Sequence, residues 1–212
     1  YEWCDKAYDF VAELDAEFSN WLCIPRSVRT TSIKPSGTVS LLNGSTPGIH
    51  FPESEYYIRR IRFSNDSNMI EPLKKAGYRV EDDEYSPNTL VVEFPVHEPY
   101  FLKGKCDVSM WEQLEIAAQY QHYWADNSVS VTVTFQPSEA PQIKNALEMY
   151  ETRLKAVSFL KYEETGYKQA PYEPISKEEY EKTIKKIKPL QRIEGGDGGS
   201  GTKFCTNDTC TI

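Results

Sequence analysis

Hydrophobic residues recur at intervals of three, four and seven between residues 2 and 22, with Asp and Glu between them. This spacing predicts an amphipathic helix packed on a core, which Pro25 is expected to end. A second long helix is predicted from Ser109 to Asp126, because Ser109 is a suitable N-cap and Glu112 follows three residues later, as in a capping box. Shorter helices are predicted at 68–76 before Gly77, at 137–152 and at 176–189.

Other segments have the composition or the period of β-strands. Residues 89–94 form an apolar, β-branched run bounded by Pro87 and Pro95, which predicts a buried strand. Residues 128–135 alternate apolar and hydroxyl-bearing side chains with a period of two, and 154–160 predict a further strand. The stretch 56–63 mixes aromatic residues with three arginines and fits either a strand or a helix, with the arginines expected on its outer side.

Strands that alternate with helices at this spacing indicate right-handed crossovers between parallel strands. The predicted fold class is therefore α/β, with the ligand site at the carboxyl ends of the strands. Residues 1–190 are expected to form the folded part. Residues 191–212 are expected to form a flexible, disordered tail, because Gly and Ser dominate 195–201 and a chain of this composition behaves as a random coil.

Composition narrows the class of protein. The chain has 212 residues, of which 39% are hydrophobic, enough for a globular core. A formal net charge of -8 argues against a nucleic-acid or membrane surface, because either partner requires a basic face. Five irregularly spaced cysteines are not a secreted disulfide framework, so we expect a cytoplasmic protein. The start at Tyr1 is neither a signal peptide nor an initiator methionine, and suggests the continuation of a longer chain.

A short segment after the first helix has the composition of an anion-binding loop. A proline and a glycine shape a tight turn, three hydroxyl side chains follow at alternate positions, and a valine begins an apolar step able to open a helix. Free backbone N–H groups at such a point bind phosphate without a charged side chain, and Arg26, Arg29 and Lys34 add local positive charge. An ordinary surface loop has the same composition and stays an alternative. The residues of this candidate phosphate loop are Pro35, Ser36, Gly37, Thr38, Val39 and Ser40.

Two cysteines lie beyond the glycine-rich tether. Cys205 and Cys210 have four residues between them, so a segment that folds back brings them within bonding distance. A mobile pair of thiols on a tether is suited to thiol–disulfide exchange with both a buried site and an external reductant. The alternatives are half of a zinc site, which lacks further ligands here, and two unrelated thiols. His122 likewise has no second ligand at metal spacing, and no metal site is predicted.

Three segments taken together resemble a known family: 34–49, 56–61 and the tail that carries Cys205 and Cys210. They look like the C-terminal part of the large catalytic subunit of ribonucleotide reductase, most of all its adenosylcobalamin-dependent ribonucleoside-triphosphate reductases. The resemblance implies a fold that is the closing portion of a ten-stranded α/β barrel. It also implies that residues 35–40 hold the phosphates of a ribonucleotide substrate. The tail cysteines would reduce the active-site disulfide and pass the oxidation to thioredoxin or a similar dithiol reductant.

Two departures refine the resemblance. Radical-relay members of the family carry two adjacent tyrosines where this chain has Ser158 and Phe159, which implies a radical made locally with adenosylcobalamin as cofactor. The family's Asn-Pro-Cys-x-Glu segment, which bears the thiyl-radical cysteine, is absent, so we expect it on the N-terminal remainder of the enzyme as a partner. The expected function is reduction of ribonucleotides, with triphosphates favoured. The alternatives are a diphosphate reductase of the same class and a non-catalytic nucleotide-binding or docking module.

Overall fold

The computed structural model describes residues 1–34, 40, 45–162 and 168–190, together with the backbone of 205–206 and 209–210. The chain forms two compact units, Tyr1–Pro52 with Lys103–Tyr162, and Glu53–Leu102 with Glu163–Ile212. In chain order the elements are α1 (Glu2–Leu22), β1 (Tyr56–Ser64), α2 (Ile70–Ala76), β2 (Arg79–Asp82), β3 (Thr89–His97), α3 (Met110–Tyr123), β4 (Thr132–Phe135), α4 (Ile143–Tyr150), β5 (Ser158–Lys161), β6 (Tyr172–Pro174), α5 (Lys177–Ile184), β7 (Cys205–Thr206) and β8 (Thr209–Cys210). Short 3-10 turns lie at Lys105–Asp107 and Ala140–Gln142.

The first unit contains the parallel strands. β4 and β5 pair in parallel and are connected through α4, so this part of the predicted strand–helix–strand order is confirmed. Ile33 forms an isolated parallel bridge with Val129, which extends the arrangement to three segments running in one direction. The predicted alternation is seen in burial, because Val129, Val131 and Val133 all face the core. The regular strand β4 covers only the second half of the predicted 128–135 segment.

Helix α3 supplies the other side of this core. Its buried residues are Met110, Leu114, Ala117 and Ala118. The predicted N-cap is confirmed, since the Ser109 hydroxyl accepts a hydrogen bond from the backbone N–H of Glu112 at 3.2 Å. The Glu112 carboxylate does not complete a capping box, because it accepts from Lys103 Nζ at 3.0 Å instead.

Helix α1 forms as predicted, but much of its apolar surface is exposed in the described fold. Ser19 is its one buried residue, and the side chains of Trp3 and Trp21 are 88% and 68% exposed. The expectation that this helix packs on a core is therefore met only in part within the described residues, because Tyr8, Val11 and Leu14 are half-buried while other apolar side chains are exposed. Hydrophobic spacing identifies the face of a helix that requires cover, but it does not identify which part of the polypeptide supplies that cover.

The second unit is built on a four-stranded antiparallel sheet in the order β2-β3-β1-β6. Strand β3 pairs with β1 over nine residues, from Tyr56 opposite His97 to Ser64 opposite Thr89. The expectation of parallel strands is wrong for this segment, because a short apolar run does not encode the direction of its neighbour. The strand also continues past Pro95. β2 pairs with β3 only as far as Glu93, so Pro95 has one strand neighbour and its missing N–H is tolerated.

Two predicted helices of this unit form, although α5 ends at Ile184 rather than at the predicted residue 189. α2 ends at Gly77, which adopts a left-handed conformation with φ 93°. α5 begins with a capping box in which the Ser176 hydroxyl accepts from Glu179 N at 3.2 Å and the Glu179 carboxylate accepts from Ser176 N at 3.0 Å.

The α/β composition agrees with the prediction, but the described residues form no closed barrel. Two regular parallel strands and an isolated bridge are too few to close one, and the antiparallel strands belong to a separate sheet. A ten-stranded barrel is thus not confirmed. The predicted boundary at residue 190 stays a prediction, because 191–204 lie outside the described residues. Among the described helices, none combines the length and the apolar character that a bilayer span requires.

Candidate phosphate-binding site

The candidate phosphate loop is described at one of its six residues. The backbone carbonyl of Ser40 accepts a hydrogen bond from Ser45 N at 3.1 Å. Pro35, Ser36, Gly37, Thr38 and Val39 lie outside the described residues. The chain on both sides is described, however, and it defines where the loop segment, residues 34–49, leaves the fold and returns to it.

The loop segment begins at the carboxyl end of a parallel strand. Thr31 O accepts from Asn127 N at 3.1 Å, and Ile33 O accepts from Ser130 N at 3.0 Å, so residues 31–33 run beside the chain that leads into β4. Loops that follow the carboxyl ends of parallel strands are where α/β proteins bind ligands. The loop segment therefore leaves the described fold at a point where α/β proteins bind ligands, and its binding role stays a prediction.

Asp126 holds the strand that precedes the loop segment. Its carboxylate accepts from Thr30 N at 2.8 Å and from the Tyr8 hydroxyl at 2.8 Å. These bonds favour the ionised form, and the backbone bond from Thr30 is the main reason that the pKa of Asp126 lies below its usual value. Of the basic residues singled out nearby, Arg29 donates to Asn127 Oδ1 at 2.7 Å, whereas Arg26 and Lys34 are exposed.

The loop segment ends in a tight turn at Pro47–His50. The His50 N–H donates to Pro47 O at 3.3 Å, and the Thr46 hydroxyl donates to Gly48 O at 3.1 Å. Gly48 has φ 64°, a left-handed conformation that costs other residues about 1–2 kcal/mol. Glycine is therefore the residue that fits this turn without strain.

The His50 side chain connects this turn to β4. Its Nε2 accepts a hydrogen bond from Thr132 N at 3.0 Å, and its Nδ1 lies 2.7 Å from Pro47 O. A backbone amide can only donate, so Nε2 carries no proton and Nδ1–H donates to the Pro47 carbonyl. Burial lowers the pKa of His50, and the charge of Lys105 lowers it further against the opposing effect of the bond to Pro47. The imidazole is thus neutral with a defined tautomer.

Along one edge of the chain that forms β4, side chains rather than a neighbouring strand accept most of the backbone hydrogen bonds. The N–H groups of alternate residues point to the same edge of a strand, and here a backbone carbonyl partners the first of them while side chains partner the rest. The pairs are Ser130 N with Ile33 O (3.0 Å), Thr132 N with His50 Nε2 (3.0 Å), Thr134 N with Gln113 Oε1 (2.9 Å) and Gln136 N with Glu139 Oε2 (2.8 Å). The residues that flank the loop segment, Ile33 and His50, are therefore bound at successive positions on this edge.

The sequence alone assigned His50 no role. A histidine at the end of a Pro-Gly turn does not reveal which amide its ring meets, because Thr132 is 82 residues further along the chain. No signal in the sequence pairs these two residues.

The tail cysteines are placed at the level of the backbone. β7 and β8 pair antiparallel, with Cys205 directly opposite Cys210. Residues in that relation have Cα atoms about 4.5–5.5 Å apart, which lies in the range that a disulfide spans. The backbone register is compatible with the predicted exchange between the two cysteines.

A cavity in the first unit has a volume of about 910 Å³. Its lining includes charged side chains of Glu115, Asp126, Arg153 and Lys155. Arg153 donates two hydrogen bonds of 2.8 Å to Glu115, which lowers the pKa of this carboxyl to about 2 with help from Tyr150. Within the ranges that the structure describes, no group of three or more His, Cys, Asp or Glu side chains is arranged to hold a metal ion.

Comparison with known proteins identifies close relatives. The whole chain is 47% identical to the probable adenosylcobalamin-dependent ribonucleoside-triphosphate reductase of Dictyostelium discoideum, of which it covers 29%. It is 45% identical over 98% of its length to the adenosylcobalamin-dependent ribonucleoside-triphosphate reductase of Euglena gracilis, and covers 30% of that protein. No family model matches.

The fold agrees with the sequence similarity. A solved structure of B-12 dependent (class II) ribonucleotide reductase superimposes with a TM-score of 0.76 and 41% identity over 88% of this chain, which covers 26% of that structure. The chain is thus related to a segment of the ribonucleotide reductases. More particularly, its relatives are the adenosylcobalamin-dependent, class II enzymes, and the resemblance stated from the sequence is confirmed. The chain spans about 30% of the length of the curated relatives that it matches.

Proposed function

We propose that this chain is the C-terminal catalytic part of an adenosylcobalamin-dependent ribonucleotide reductase that converts ribonucleoside triphosphates to deoxyribonucleotides in the cytoplasm. The observation that carries this proposal is that a segment with phosphate-binding composition follows the parallel bridge of Ile33 with Val129, in a chain 47% identical to part of a named reductase of this kind. The chain's two contributions are to hold the substrate phosphates at 35–40 and to renew the reducing thiols with Cys205 and Cys210.

The phosphate-binding role follows from the small residues of the loop. Ser36, Gly37 and Thr38 allow backbone N–H groups and hydroxyls to approach phosphate oxygens closely. The exposed Lys34 at the base of the loop adds positive charge in an otherwise acidic chain. Binding at this point orients the ribose for chemistry supplied by other parts of the enzyme.

The tail completes the redox cycle. Replacement of the 2′-hydroxyl of the ribose by hydrogen releases water and consumes two electrons, which leave an active-site thiol pair as a disulfide. The dithiol of Cys205 and Cys210 reduces that disulfide by thiol–disulfide exchange and becomes a disulfide itself. A dithiol protein such as thioredoxin then reduces the tail. The positions of Cys205 and Cys210 opposite each other in β7 and β8 support the assignment of these residues as the tail dithiol.

Adenosylcobalamin supplies the initiating radical when it is bound. Its corrin ring is broad, largely apolar and edged with amide arms, so it requires a wide cleft with few charges. The described cavity is lined by charged side chains, including Glu115, Arg153 and Lys155, and does not by itself fit this cofactor. We therefore assign no residue of this chain to the cofactor, which we place on the remainder of the enzyme.

That remainder is also the partner that α1 requires. Apolar side chains of α1, including Trp3, Phe10 and Trp21, are exposed in the described fold, and a surface of this kind is normally covered. The relatives are more than three times as long as the segment that this chain matches. The N-terminal remainder, which would also carry the thiyl-radical cysteine, is the proposed cover.

Substitution in the loop of the complete reductase tests the phosphate assignment. Thr38→Val and Gly37→Val each remove or obstruct charge-assisted hydrogen bonds worth about 1.5–3 kcal/mol, so the KM for a ribonucleoside triphosphate should rise about tenfold or more. Thr152→Val, an exposed threonine outside the loop, is the matched control. Unchanged nucleotide affinity in both loop variants would remove the assignment.

The same assays separate the rival functions. A higher kcat/KM for ribonucleoside diphosphates than for triphosphates would favour the diphosphate reductase. Nucleotide binding by the complete protein without any reduction would favour the non-catalytic module. The presence of an Asn-Pro-Cys-x-Glu segment upstream in the coding sequence would exclude that module.

A further inference from the structure

His50 joins two parts of the chain that are far apart in sequence. Its Nδ1–H donates to Pro47 O at 2.7 Å and its Nε2 accepts from Thr132 N at 3.0 Å. One ring thus stabilises the turn that ends the loop segment and attaches that turn to β4. Both contacts are to the backbone, so they fix the course of the chain rather than the position of another side chain.

The residues on either side of the loop segment are attached to the same edge of the chain that forms β4. Ile33, just before the segment, accepts from Ser130 N, and His50, just after it, accepts from Thr132 N. Two residues along a strand correspond to about 7 Å. The sixteen residues from Lys34 to Ile49 would reach about 50 Å if extended, so the ends are held far closer than the length of the chain requires.

The two contacts require a neutral ring with its proton on Nδ1. A protonated imidazole has no acceptor for the Thr132 amide and would leave that N–H without its partner. Lys105 is the charged group whose field acts on this ring, and both its charge and burial disfavour the protonated form. The environment of His50 therefore favours the neutral form that the attachment requires, and the two hydrogen-bond partners select the tautomer.

We propose that His50 is a positioning residue for substrate binding, because its bridge between Pro47 and Thr132 fixes the point at which the chain that carries the candidate phosphate loop returns to the fold. This rests on the proposed phosphate-binding function of residues 35–40. His50 itself does not touch the phosphate. It acts through the backbone of the loop segment.

Two substitutions of His50 in the complete reductase test this role. His50→Leu removes both hydrogen bonds, whereas the amide of His50→Gln offers one donor and one acceptor at a spacing close to that of the two ring nitrogens. We expect the KM for the ribonucleoside triphosphate to rise about tenfold in the leucine variant, with a smaller change in kcat. The glutamine variant should return KM to within about threefold of the wild-type value. His122→Leu, an exposed histidine at the end of α3, is the matched control and should leave KM unchanged.

Limited proteolysis gives a readout of loop position that does not depend on turnover. Bound nucleotide should slow cleavage within 34–49 in the wild-type and glutamine enzymes, and this protection should be lost in the leucine variant. If the His50→Leu enzyme does not fold, the His50→Asn enzyme is tested instead. Its shorter amide reaches only one of the two partners. The KM of the asparagine variant should therefore lie between that of the wild type and that expected for the leucine variant.

Separate outcomes decide the two proposals. If the loop variants Thr38→Val and Gly37→Val raise KM but a folded His50→Leu enzyme keeps wild-type KM and protection, the positioning role is wrong. A wild-type KM in the His50→Asn enzyme would likewise show that the positioning role is wrong. Equal losses in the leucine and glutamine variants also overturn the role, because they show that ring shape rather than hydrogen bonding matters. Unchanged nucleotide affinity in the loop variants themselves overturns the phosphate assignment.

Discussion

Arg60 and Glu93 lie directly opposite each other on the paired strands β1 and β3, and their side chains are 11% and 10% exposed. Arg60 Nε donates to Glu93 Oε1 at 3.0 Å, and its Nη2 also bonds Glu93 at 2.8 Å and contacts Glu173. The prediction that the arginines of this stretch lie on an outer side is wrong for Arg60. The charge is tolerated within the sheet because a carboxylate faces it.

Removal of one partner of this pair should destabilise the protein strongly. In Arg60→Met the Glu93 carboxylate stays buried, and among the described residues the exposed Arg79, with Nη1 3.6 Å away, is its next ion-pair partner. We expect the free energy of unfolding to fall by about 3–5 kcal/mol, measured by urea unfolding. The double variant Arg60→Met/Glu93→Met should recover most of that loss. The control Lys144→Met breaks an exposed pair with Glu148 and should cost under about 1 kcal/mol. Equal losses in Arg60→Met and Lys144→Met would contradict the buried-pair interpretation.

The Glu115–Arg153 pair predicts a pH dependence of stability. The pKa of Glu115 is lowered to about 2 in the folded chain from an ordinary value of 4.5, mainly by the bonds from Arg153. A lowered folded pKa stabilises the fold fully above pH 4.5, and this contribution is lost as the pH falls toward 2. Because both side chains are about 40% exposed, we expect only about 1 kcal/mol at pH 7.

Comparison of Glu115→Gln with the wild type checks this dependence. The difference in unfolding free energy should be largest near pH 7 and should shrink steadily below pH 4.5. Glu17→Gln, at an exposed position of α1, is the control and should show the same small difference throughout. A difference for Glu115→Gln that is independent of pH would exclude ionic pairing as its source.

Even a small side chain at position 77 should lower the stability of the protein strongly. Its φ of 93° disfavours any side chain, and a Cβ atom would lie 2.5 Å from the backbone oxygen of Lys186. Gly77→Ala should therefore lower the free energy of unfolding by about 2 kcal/mol or more. Gly104→Ala is the comparison, since φ of −94° is allowed to alanine. Thermal unfolding of the two variants measures the contrast, and equal melting temperatures would contradict it.

The proposed role of the tail cysteines predicts that their loss stops continued turnover but not the first turnover. In the complete enzyme, Cys205→Ser and Cys210→Ser should each abolish continued turnover with thioredoxin, whereas a first turnover by pre-reduced enzyme should proceed. Cys23→Ser, at an exposed cysteine outside the tail, is the control. Wild-type multiple turnover in both tail variants would show that these cysteines are not the shuttle.

Local signals in the sequence predicted local structure well. The cap at Ser109 and the terminating Gly77 were predicted, because each depends on contacts within a few residues. The capping box predicted for Ser109 with Glu112 is not formed. The buried alternation at Val129, Val131 and Val133 followed from the period of two. The helix predicted at 137–152 is shorter, since a 3-10 turn at Ala140–Gln142, which contains Pro141, precedes α4.

The sequence by itself determined the helices, the parallel pairing of β4 with β5, and the family resemblance that comparison confirms. Only the tertiary structure decided that β3 runs antiparallel to β1, that Arg60 faces Glu93, and that His50 meets the Thr132 amide. The physical reason is the same in each case. Capping and periodicity act over a few residues, whereas strand direction, charge pairing and loop attachment depend on segments separated by more than twenty residues that meet only in the fold.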